Sequence, residues 1–228
     1  LDAGLLHDDT VTIAGDGLSR YRQEPRLEGS RVVWTDGAGK SLNDKILRPA
    51  SDPFGKTGGL AELTGNLGTG IMKGSAVDPE DQAAVKEAFR AGQLDHDVVV
   101  VVRYQGPKAN GMPELHSLTP VLAVLQDRGH KVALVTDGRM SGASGKVPSA
   151  IHVAPEALDG GLIAKLHDGD LIRVDAREGR LEVLTDGVAD RTVTPPDLTA
   201  NTHGIGREMF DLFRQAAGPA TSGACCLT

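Results

Sequence analysis

The chain has 228 residues and a formal net charge of −7, with 39% apolar but only 3% aromatic residues. This length suffices for one large domain, or for one domain with a tail, whose core is built from aliphatic side chains. The acidic balance argues against nucleic acid as the main partner. No segment approaches the roughly 18 to 20 consecutive apolar residues that cross a bilayer, so we expect no membrane contact.

The first 48 residues predict a connector rather than a domain of their own. They are polar, and their one strand-like run covers residues 31–34. The sequence starts without methionine, and its opening leucines are typical of a helix end that enters a loop. We therefore expect residues 1–48 to be a connector at the end of a preceding N-terminal domain, and residues 49–228 to form the next domain.

The middle of the chain predicts a parallel strand–helix–strand unit. Residues 97–103 form a β-branched run, which is typical of a strand buried on both faces. Thr119 and Pro120 suit the N-cap and first position of a helix that runs to about residue 127. The apolar strand at residues 132–135 follows, and such a crossover pairs its two strands in parallel.

The remaining elements indicate a β-rich second half. Residues 171–174 and 181–184 predict two short strands joined by a hairpin, and residues 206–216 predict a last helix that brings its Met and Phe side chains together. A further helix is predicted at residues 81–90. The predicted fold class is α/β, with a mixed sheet that forms a closed or nearly closed barrel.

A glycine-rich loop follows the strand at residues 132–135. It holds Ser141, with Arg139 on one side and Lys146 on the other. A buried strand that opens into such a loop can bring backbone N–H groups and a hydroxyl close to a ligand. This pattern predicts an anion-binding site with Ser141 as nucleophile or base, although a glycine-rich turn with a solvated serine fits the same residues.

Glu114 lies in the loop after the first strand of this unit. Loops at the carboxyl ends of parallel strands meet in one crevice, so Glu114 and Ser141 are expected to face the same pocket. A carboxylate there suits Mg²⁺, and a bound cation is what would let a serine hydroxyl act as a base. Alternatively, Glu114 simply occupies the first turn of a helix, where the helix dipole favours a negative charge.

Several other chemistries fit the spacing poorly. Arg139 stands where a G-x-S-x-G nucleophile motif needs glycine, and residues 50–57 lack the first glycine of a P-loop. The histidines have no spacing typical of metal ligands. The two cysteines, Cys225 and Cys226, are adjacent. Adjacent cysteines do not form an ordinary disulfide with each other, which favours a reducing cytosol. Two cysteines are also too few to supply the thiolates of an iron–sulfur cluster.

Three long segments resemble the dihydroxy-acid and phosphogluconate dehydratase family. They are VALVTDGRMSGASGKVPSAIHVAPEA, VVVVRYQGPKANGMPELH and GGLAELTGNLG. The resemblance covers nearly the whole chain, and the GREMFDLFR…GACCLT ending is similar to the members that act on phosphogluconate. It implies a C-terminal swivelling β/β/α barrel that closes over an N-terminal domain carrying the cluster-ligating cysteines.

The resemblance also implies roles for individual residues. By position, Glu114 in GMPELH matches a magnesium ligand, and Ser141 in GRMSG matches the serine proposed as proton acceptor. Arg139, Ser144 and Lys146 are the candidates that bind the anionic groups of the substrate, since arginine and backbone N–H groups at a glycine loop bind phosphate well. The implied reaction converts 6-phospho-D-gluconate to 2-dehydro-3-deoxy-6-phospho-D-gluconate and water, a step of the Entner–Doudoroff pathway.

The implied cofactors are Mg²⁺ or a similar divalent cation and an iron–sulfur cluster, 4Fe–4S rather than 2Fe–2S, with no cluster ligand in this chain. The implied assembly is a cytoplasmic homodimer, in which this chain works with the N-terminal domain of the same protein and is inactive alone. One departure is that Asp81 follows Glu80 directly, where the family has a further strand-forming segment. Either this segment is truly deleted, or a mobile stretch is absent from the sequence; the cost of losing a barrel strand favours the second.

Two other functions remain open at this point. One is a dehydratase for another sugar acid or a dihydroxy acid. Phosphate binding near Lys146 would distinguish a phosphogluconate dehydratase from this alternative. The other is a non-catalytic module that binds small anions, which three suitably placed cysteines upstream would argue against.

Overall fold

The computed structural model describes residues 1, 3–54, 60–73, 91–93, 95–140 and 146–227. The chain divides into two compact units, residues 1–57 and residues 58–228. Within these described ranges, no helix combines the length and apolar character needed to span a membrane. The helix predicted at residues 81–90 and the junction of Glu80 with Asp81 lie outside the described residues.

The first unit consists of two antiparallel hairpins. Its strands are β1 (Val11–Thr12), β2 (Gly15–Asp16), β3 (Gln23–Glu28) and β4 (Arg31–Asp36). Glu28 pairs with Arg31, and Gly29 takes a φ of +61° in the two-residue turn between them, as such turns require. The sequence predicted only the last of these strands. None of the described residues up to 54 is buried.

The second unit is organised by one seven-stranded mixed sheet. Its strands are β5 (Leu60–Gly65), β6 (Gly68–Lys73), β7 (Val98–Val102), β8 (Val132–Thr136), β9 (Ser149–Ala154), β10 (Ile172–Asp175) and β11 (Arg180–Val183). Their order is β10-β11-β5-β6-β9-β8-β7. β7, β8 and β9 are parallel, while β10 and β11 form the predicted antiparallel hairpin.

Every strand of this sheet contributes to one main core. The edge strands β7 and β10 supply Val101 and Val174, which pack against the same buried cluster as Leu63, Val135 and Leu181 of the inner strands. A sheet whose two edges share one core must curve around it. The α/β class and the nearly barrel-shaped mixed sheet are therefore confirmed.

A second core lies on the other face of β7 and β8, under helix α1 (Thr119–Asp127). It contains Leu122 and Leu125 of α1 together with Leu134 of β8. β7 contacts both cores, as its valine run predicts, but it stays half-buried because it is the edge of the sheet. Its neighbour β8 is buried along its whole length.

The helices differ from the prediction in detail. Thr119 does not cap α1, because Leu118 is the N-cap residue and the Thr119 hydroxyl donates a hydrogen bond to the carbonyl of His116 at 2.7 Å. Helix α2 (Asp211–Ala216) is shorter than predicted, since 3-10 geometry precedes it. The rings of Phe210 and Phe213 lie 6.2 Å apart, but Met209 is 74% exposed.

Short 3-10 helices connect the other elements. They are Ser19–Arg22, His116–Leu118, Ala157–Asp159, Leu162–Lys165, Val188–Asp190, Thr199–Asn201, Arg207–Phe210 and Ala220–Ser222.

Candidate functional site

The carboxyl ends of β7, β8 and β9 lie at one edge of the sheet because these strands are parallel. Asp137 directly follows β8 at this edge and is fully buried. Its carboxylate accepts backbone hydrogen bonds from Tyr104 at 3.1 Å, Gln105 at 3.0 Å and Ala157 at 2.9 Å. One side chain thus joins the segments that follow all three strands. Burial raises the pKa of the Asp137 carboxyl, and the backbone hydrogen bonds oppose this increase.

A second buried carboxylate, Glu156, reinforces the same edge. It accepts hydrogen bonds from the backbone N–H groups of Lys108 at 3.0 Å and Ala109 at 3.2 Å. The Lys108 ammonium in turn pairs with Asp159 at 2.8 Å. Burial raises the pKa of Glu156 as well, and the nearby charge of Asp137 adds to this increase. The loop after β7 is therefore held from both β8 and the segment after β9.

Arg139 and Glu114 bring the two predicted loops together. Their backbones form an isolated parallel bridge, and the Arg139 guanidinium lies 3.5 Å from the Glu114 carboxylate. The same guanidinium donates a hydrogen bond to the carbonyl of Met112 at 2.7 Å. Both side chains remain partly exposed, 49% for Arg139 and 37% for Glu114. A positive and a negative group thus stand side by side at the carboxyl-end edge, within reach of a ligand.

Glu114 also has the local role that the sequence left open. Its carboxylate accepts a hydrogen bond from the backbone N–H of His116 at 3.0 Å, at the start of the 3-10 turn before α1. A carboxylate at such a position satisfies an N–H group that the turn leaves without a backbone partner. The positions of the two loops agree with the expectation of one shared crevice, while the role of Glu114 as a metal ligand stays a prediction.

The other predicted residues divide into two groups. Ser141 and Ser144 lie outside the described residues, so their roles stay predictions. The Lys146 ammonium pairs with Asp127 at 2.6 Å. Asp127 ends α1, which runs back from the carboxyl-end edge towards the start of β8. The structure therefore does not bring Lys146 together with Arg139 and Glu114.

His152 is a residue of this region that the sequence analysis did not single out. It lies in β9 with a φ of +56°, which is unusual for a residue other than glycine. Its backbone N–H donates a hydrogen bond to the carbonyl of Gly138 at 2.9 Å, directly beside Arg139. Burial and the nearby positive charge of Arg139 lower the pKa of His152. The only sequence signal was an isolated polar side chain in an otherwise small and apolar strand.

The described residues offer few ligands to a metal or cluster. Among them, no group of three or more His, Cys, Asp and Glu side chains could hold a metal ion. Glu114 can give one carboxylate to a Mg²⁺ whose other ligands come from elsewhere, which is common for this ion. Cys225 and Cys226 are both free thiols, and an iron–sulfur cluster needs more cysteines than these two.

Comparison with known proteins identifies the family. Residues 45–224 match the C-terminal domain described as Dihydroxy-acid/6-phosphogluconate dehydratase C-terminal. Phosphogluconate dehydratases of Pseudomonas aeruginosa and Escherichia coli K12 are 55% and 53% identical over the whole chain, and a dihydroxy-acid dehydratase of Ignicoccus hospitalis is 37% identical over 81% of it.

These alignments also show how much of each relative the chain represents. The chain spans about 40% of the length of the Pseudomonas and Escherichia proteins, in alignments of 242 residues. It spans 33% of the length of the Ignicoccus protein, in an alignment of 202 residues. Since 242 exceeds the 228 residues of the chain, the first two relatives carry residues that this chain lacks. The chain belongs to the dihydroxy-acid/6-phosphogluconate dehydratase family and corresponds to its C-terminal part.

Proposed function

We propose that the chain is the C-terminal catalytic part of a dehydratase that converts 6-phospho-D-gluconate to 2-dehydro-3-deoxy-6-phospho-D-gluconate and water. The observation that carries this proposal is the 55% identity to a phosphogluconate dehydratase over the full chain. The exposed Arg139–Glu114 pair at the carboxyl-end edge supports it, because ligands of α/β sheets bind at this edge.

In this proposal, Arg139 binds an anionic group of the substrate and fixes its orientation. An arginine can hold a carboxylate or phosphate through two parallel hydrogen bonds, which gives direction as well as affinity. Met112 and Glu114 fix the guanidinium at the crevice. Ser144 and Lys146 are the further substrate-binding residues we propose. Lys146 would have to leave Asp127 to do so.

Ser141 is the proposed base: its side-chain oxygen, in the alkoxide form that a nearby cation would stabilise, takes the proton from the carbon next to the substrate carboxylate and becomes a neutral hydroxyl. This proton is weakly acidic, so the base must be positioned and activated. A divalent cation with Glu114 among its ligands would supply Lewis acidity at the substrate carboxylate, and an iron–sulfur cluster, 4Fe–4S in our proposal, would supply it at the departing hydroxyl. The chain itself would hold the substrate, and the cluster ligands would come from the N-terminal domain.

The proposed assembly is a cytoplasmic homodimer in which each chain works with its own N-terminal domain. The first unit supports such a partner. Many of its larger apolar side chains, such as Leu27, Leu42 and Ile46, are strongly exposed. Apolar surface of this kind is typical of a segment that packs against another domain.

The test is an assay of 2-keto acid formation from 6-phospho-D-gluconate by the full-length protein, prepared without oxygen. Wild type should form product, and Ser141→Ala should form almost none while it keeps its cluster absorbance. Ser51→Ala, which changes an exposed serine of the first unit, is the matched control and should stay active. No product from a cluster-loaded wild type would refute this substrate, and full activity of Ser141→Ala would remove Ser141 from the mechanism.

A dehydratase for a dihydroxy acid is the second candidate. It is supported by the 37% identity to the dihydroxy-acid dehydratase of Ignicoccus hospitalis. The same assay with a branched 2,3-dihydroxy acid separates the two, since the preferred substrate has the higher kcat/KM.

A further inference from the structure

A cavity of about 390 Å³ lies against β5, β6 and β9 of the second unit. Along β5, its lining residue Glu62 precedes Leu63, which points into the main core. Because neighbouring side chains of a strand point to opposite faces, the cavity lies on the face away from that core. The 3-10 turn Ala220–Ser222 contributes Thr221 to its wall. This volume falls in the range of small-molecule sites.

His152 faces this cavity because β9 contains a bulge. Ile71 of β6 pairs with Ile151, and Thr69 pairs with Ala154, so β9 uses one more residue than β6 over this stretch. The positive φ of His152 accommodates the extra residue. β-Bulges re-aim a side chain and are frequent next to active sites. Holding a non-glycine residue in this conformation has a cost in free energy, which is typical of functional positions.

The polar groups of the cavity are suited to hydroxyl groups. They are the His152 imidazole, the Glu62 carboxylate and the hydroxyls of Thr69 and Thr221. Burial and the positive charge of Arg139 lower the pKa of His152, which favours the neutral form of its ring. A neutral imidazole and two hydroxyls can each donate and accept hydrogen bonds, and the carboxylate accepts them.

The apolar part of the wall completes this environment. Leu60 and Ile71 line the cavity beside the polar groups, which gives the carbon atoms of a ligand an apolar surface. Among the residues that the structure describes, none hydrogen-bonds to the side chains of His152, Glu62 or Thr221, so these groups are available to a ligand.

The cavity adjoins the candidate anion site through the backbone. The His152 N–H donates a hydrogen bond to the carbonyl of Gly138, and Arg139 is the next residue. The Arg139 guanidinium is also close enough to the His152 imidazole for its positive charge to lower the pKa of that ring, so a ligand whose anionic end binds Arg139 can extend its chain towards His152. Both sites lie near the carboxyl end of β9, and together they offer the guanidinium of Arg139 and the hydrogen-bonding groups of the cavity.

We propose that this cavity, which we call the hydroxyl pocket, binds the hydroxylated carbon chain of a sugar acid whose anionic end lies at Arg139. The hydroxyl pocket thereby selects polyhydroxylated acids over aliphatic acids of the same length. This inference rests on the proposed dehydratase function and deepens it, because it assigns substrate selection to residues outside the Arg139–Glu114 pair.

The test measures binding of two six-carbon acids to the full-length protein by titration calorimetry. D-Gluconate carries hydroxyls along its chain, and hexanoate carries none. The variants are His152→Asn, which tolerates the positive φ, and Thr221→Val, which removes one hydroxyl while keeping the side-chain shape. Thr192→Val, at an exposed position away from the pocket lining, is the matched control. Thermal melting checks that each variant is folded.

The expected result is that wild type binds D-gluconate about tenfold more tightly than hexanoate. Each pocket variant should weaken D-gluconate binding by about five- to tenfold, the effect of losing one or two hydrogen bonds, and leave hexanoate unchanged. Equal affinity of the two acids for wild type, or unchanged D-gluconate binding in both folded variants, would overturn the proposal.

The dehydration assay keeps this test separate from that of the proposed function. If the protein prefers D-gluconate in a His152-dependent manner but forms no 2-keto acid, the proposal of the hydroxyl pocket stands and the proposal of dehydratase activity is refuted. If the protein dehydrates 6-phospho-D-gluconate but does not prefer D-gluconate over hexanoate, only the proposal of the hydroxyl pocket is refuted.

Discussion

The carboxylate of Asp137 accepts a hydrogen bond from the backbone N–H of Ala157 at 2.9 Å, and so ties the end of β8 to the segment after β9. The same carboxylate holds the backbone of Tyr104 and Gln105 after β7. Since Arg139 is only two residues further on, the position of its guanidinium depends on this buried group. The backbone that carries the candidate site is therefore held in place by the fully buried carboxylate of Asp137.

Asp137→Asn should destabilise the fold strongly. The amide nitrogen of asparagine would face backbone N–H donors in place of an acceptor, and buried donors would lose their partners. We expect the free energy of unfolding to fall by about 2–4 kcal/mol, as measured by urea denaturation. Asp127→Asn, whose side chain is 63% exposed, is the control and should change stability by less than about 1 kcal/mol. Equal losses in the two variants would contradict the role of Asp137.

Gly106→Ala should disturb the loop after β7. A Cβ at this position would overlap the carboxylate of Glu156, which holds the backbone of Lys108 and Ala109. We expect a loss of about 1–3 kcal/mol, typical of overpacking, in thermal or urea denaturation. Gly39→Ala is the matched control, because its Cβ would meet nothing within 4 Å. If both variants were as stable as wild type, the close contact with Glu156 would not constrain the loop.

The ion pair of Asp170 with Arg191 should make the free energy of unfolding depend on pH in the acid range. Its carboxylate accepts hydrogen bonds from the Arg191 guanidinium at 2.5 and 2.8 Å and from the His167 N–H, and these hold the pKa of Asp170 well below its usual range. A depressed pKa in the folded state means that the ionised carboxylate stabilises the fold. This contribution is complete above the unfolded pKa of about 3.9 and is lost as the pH falls below it.

The measurement is urea denaturation of wild type and Asp170→Asn between pH 7 and pH 3. Asp170→Asn should be less stable by about 1–3 kcal/mol at pH 7, and this difference should shrink as the pH falls towards 3. Asp168→Asn, at an exposed position in the same loop, should follow wild type at every pH. A difference between Asp170→Asn and wild type that stayed constant with pH would exclude the ion pair as its cause.

Arg139→Lys should impair the proposed reaction more than it impairs folding. A lysine keeps the charge but cannot donate to Met112 and a ligand through one planar group. We expect kcat/KM for 6-phospho-D-gluconate to fall by roughly 10- to 100-fold, with little change in melting temperature. Arg177→Lys in the hairpin between β10 and β11 is the control. Unchanged kcat/KM in Arg139→Lys would exclude a specific role of the guanidinium.

The elements that the sequence predicted well are those with strong local signals. The valine run of β7, the proline at the start of α1 and the buried strand β8 define a parallel unit without any knowledge of the remaining chain, although the role predicted for Thr119 as N-cap was wrong. The hairpin of β10 and β11 is equally local. In the first unit, by contrast, β3 reads QEPRLE, with little alternation and a proline, so nothing in its composition indicated a strand.

The support of the candidate site could not be predicted because it depends on contacts between distant residues. Asp137 lies 33 positions from Tyr104, and Glu156 lies 47 from Ala109. The spacing of residues in the sequence does not predict hydrogen bonds between residues so far apart. The meeting of the Glu114 and Arg139 loops was predictable, since the parallel order of β7 and β8 places both loops at one edge. The bulge that turns His152 outwards could not be predicted, because a histidine within an apolar segment does not by itself indicate a positive φ.

The position of β7 at one end of the sheet has a consequence for the behaviour of this protein in solution. Within the described residues, β7 pairs with β8 on one side and has no strand on the other. Five consecutive valines on such an edge can recruit a strand from another molecule, which is the first step of aggregation. The exposed residue Asp97 precedes the valine run, and a charged residue at this position opposes edge-to-edge pairing. Replacing Asp97 with an apolar residue would therefore lower the concentration at which the protein stays dispersed.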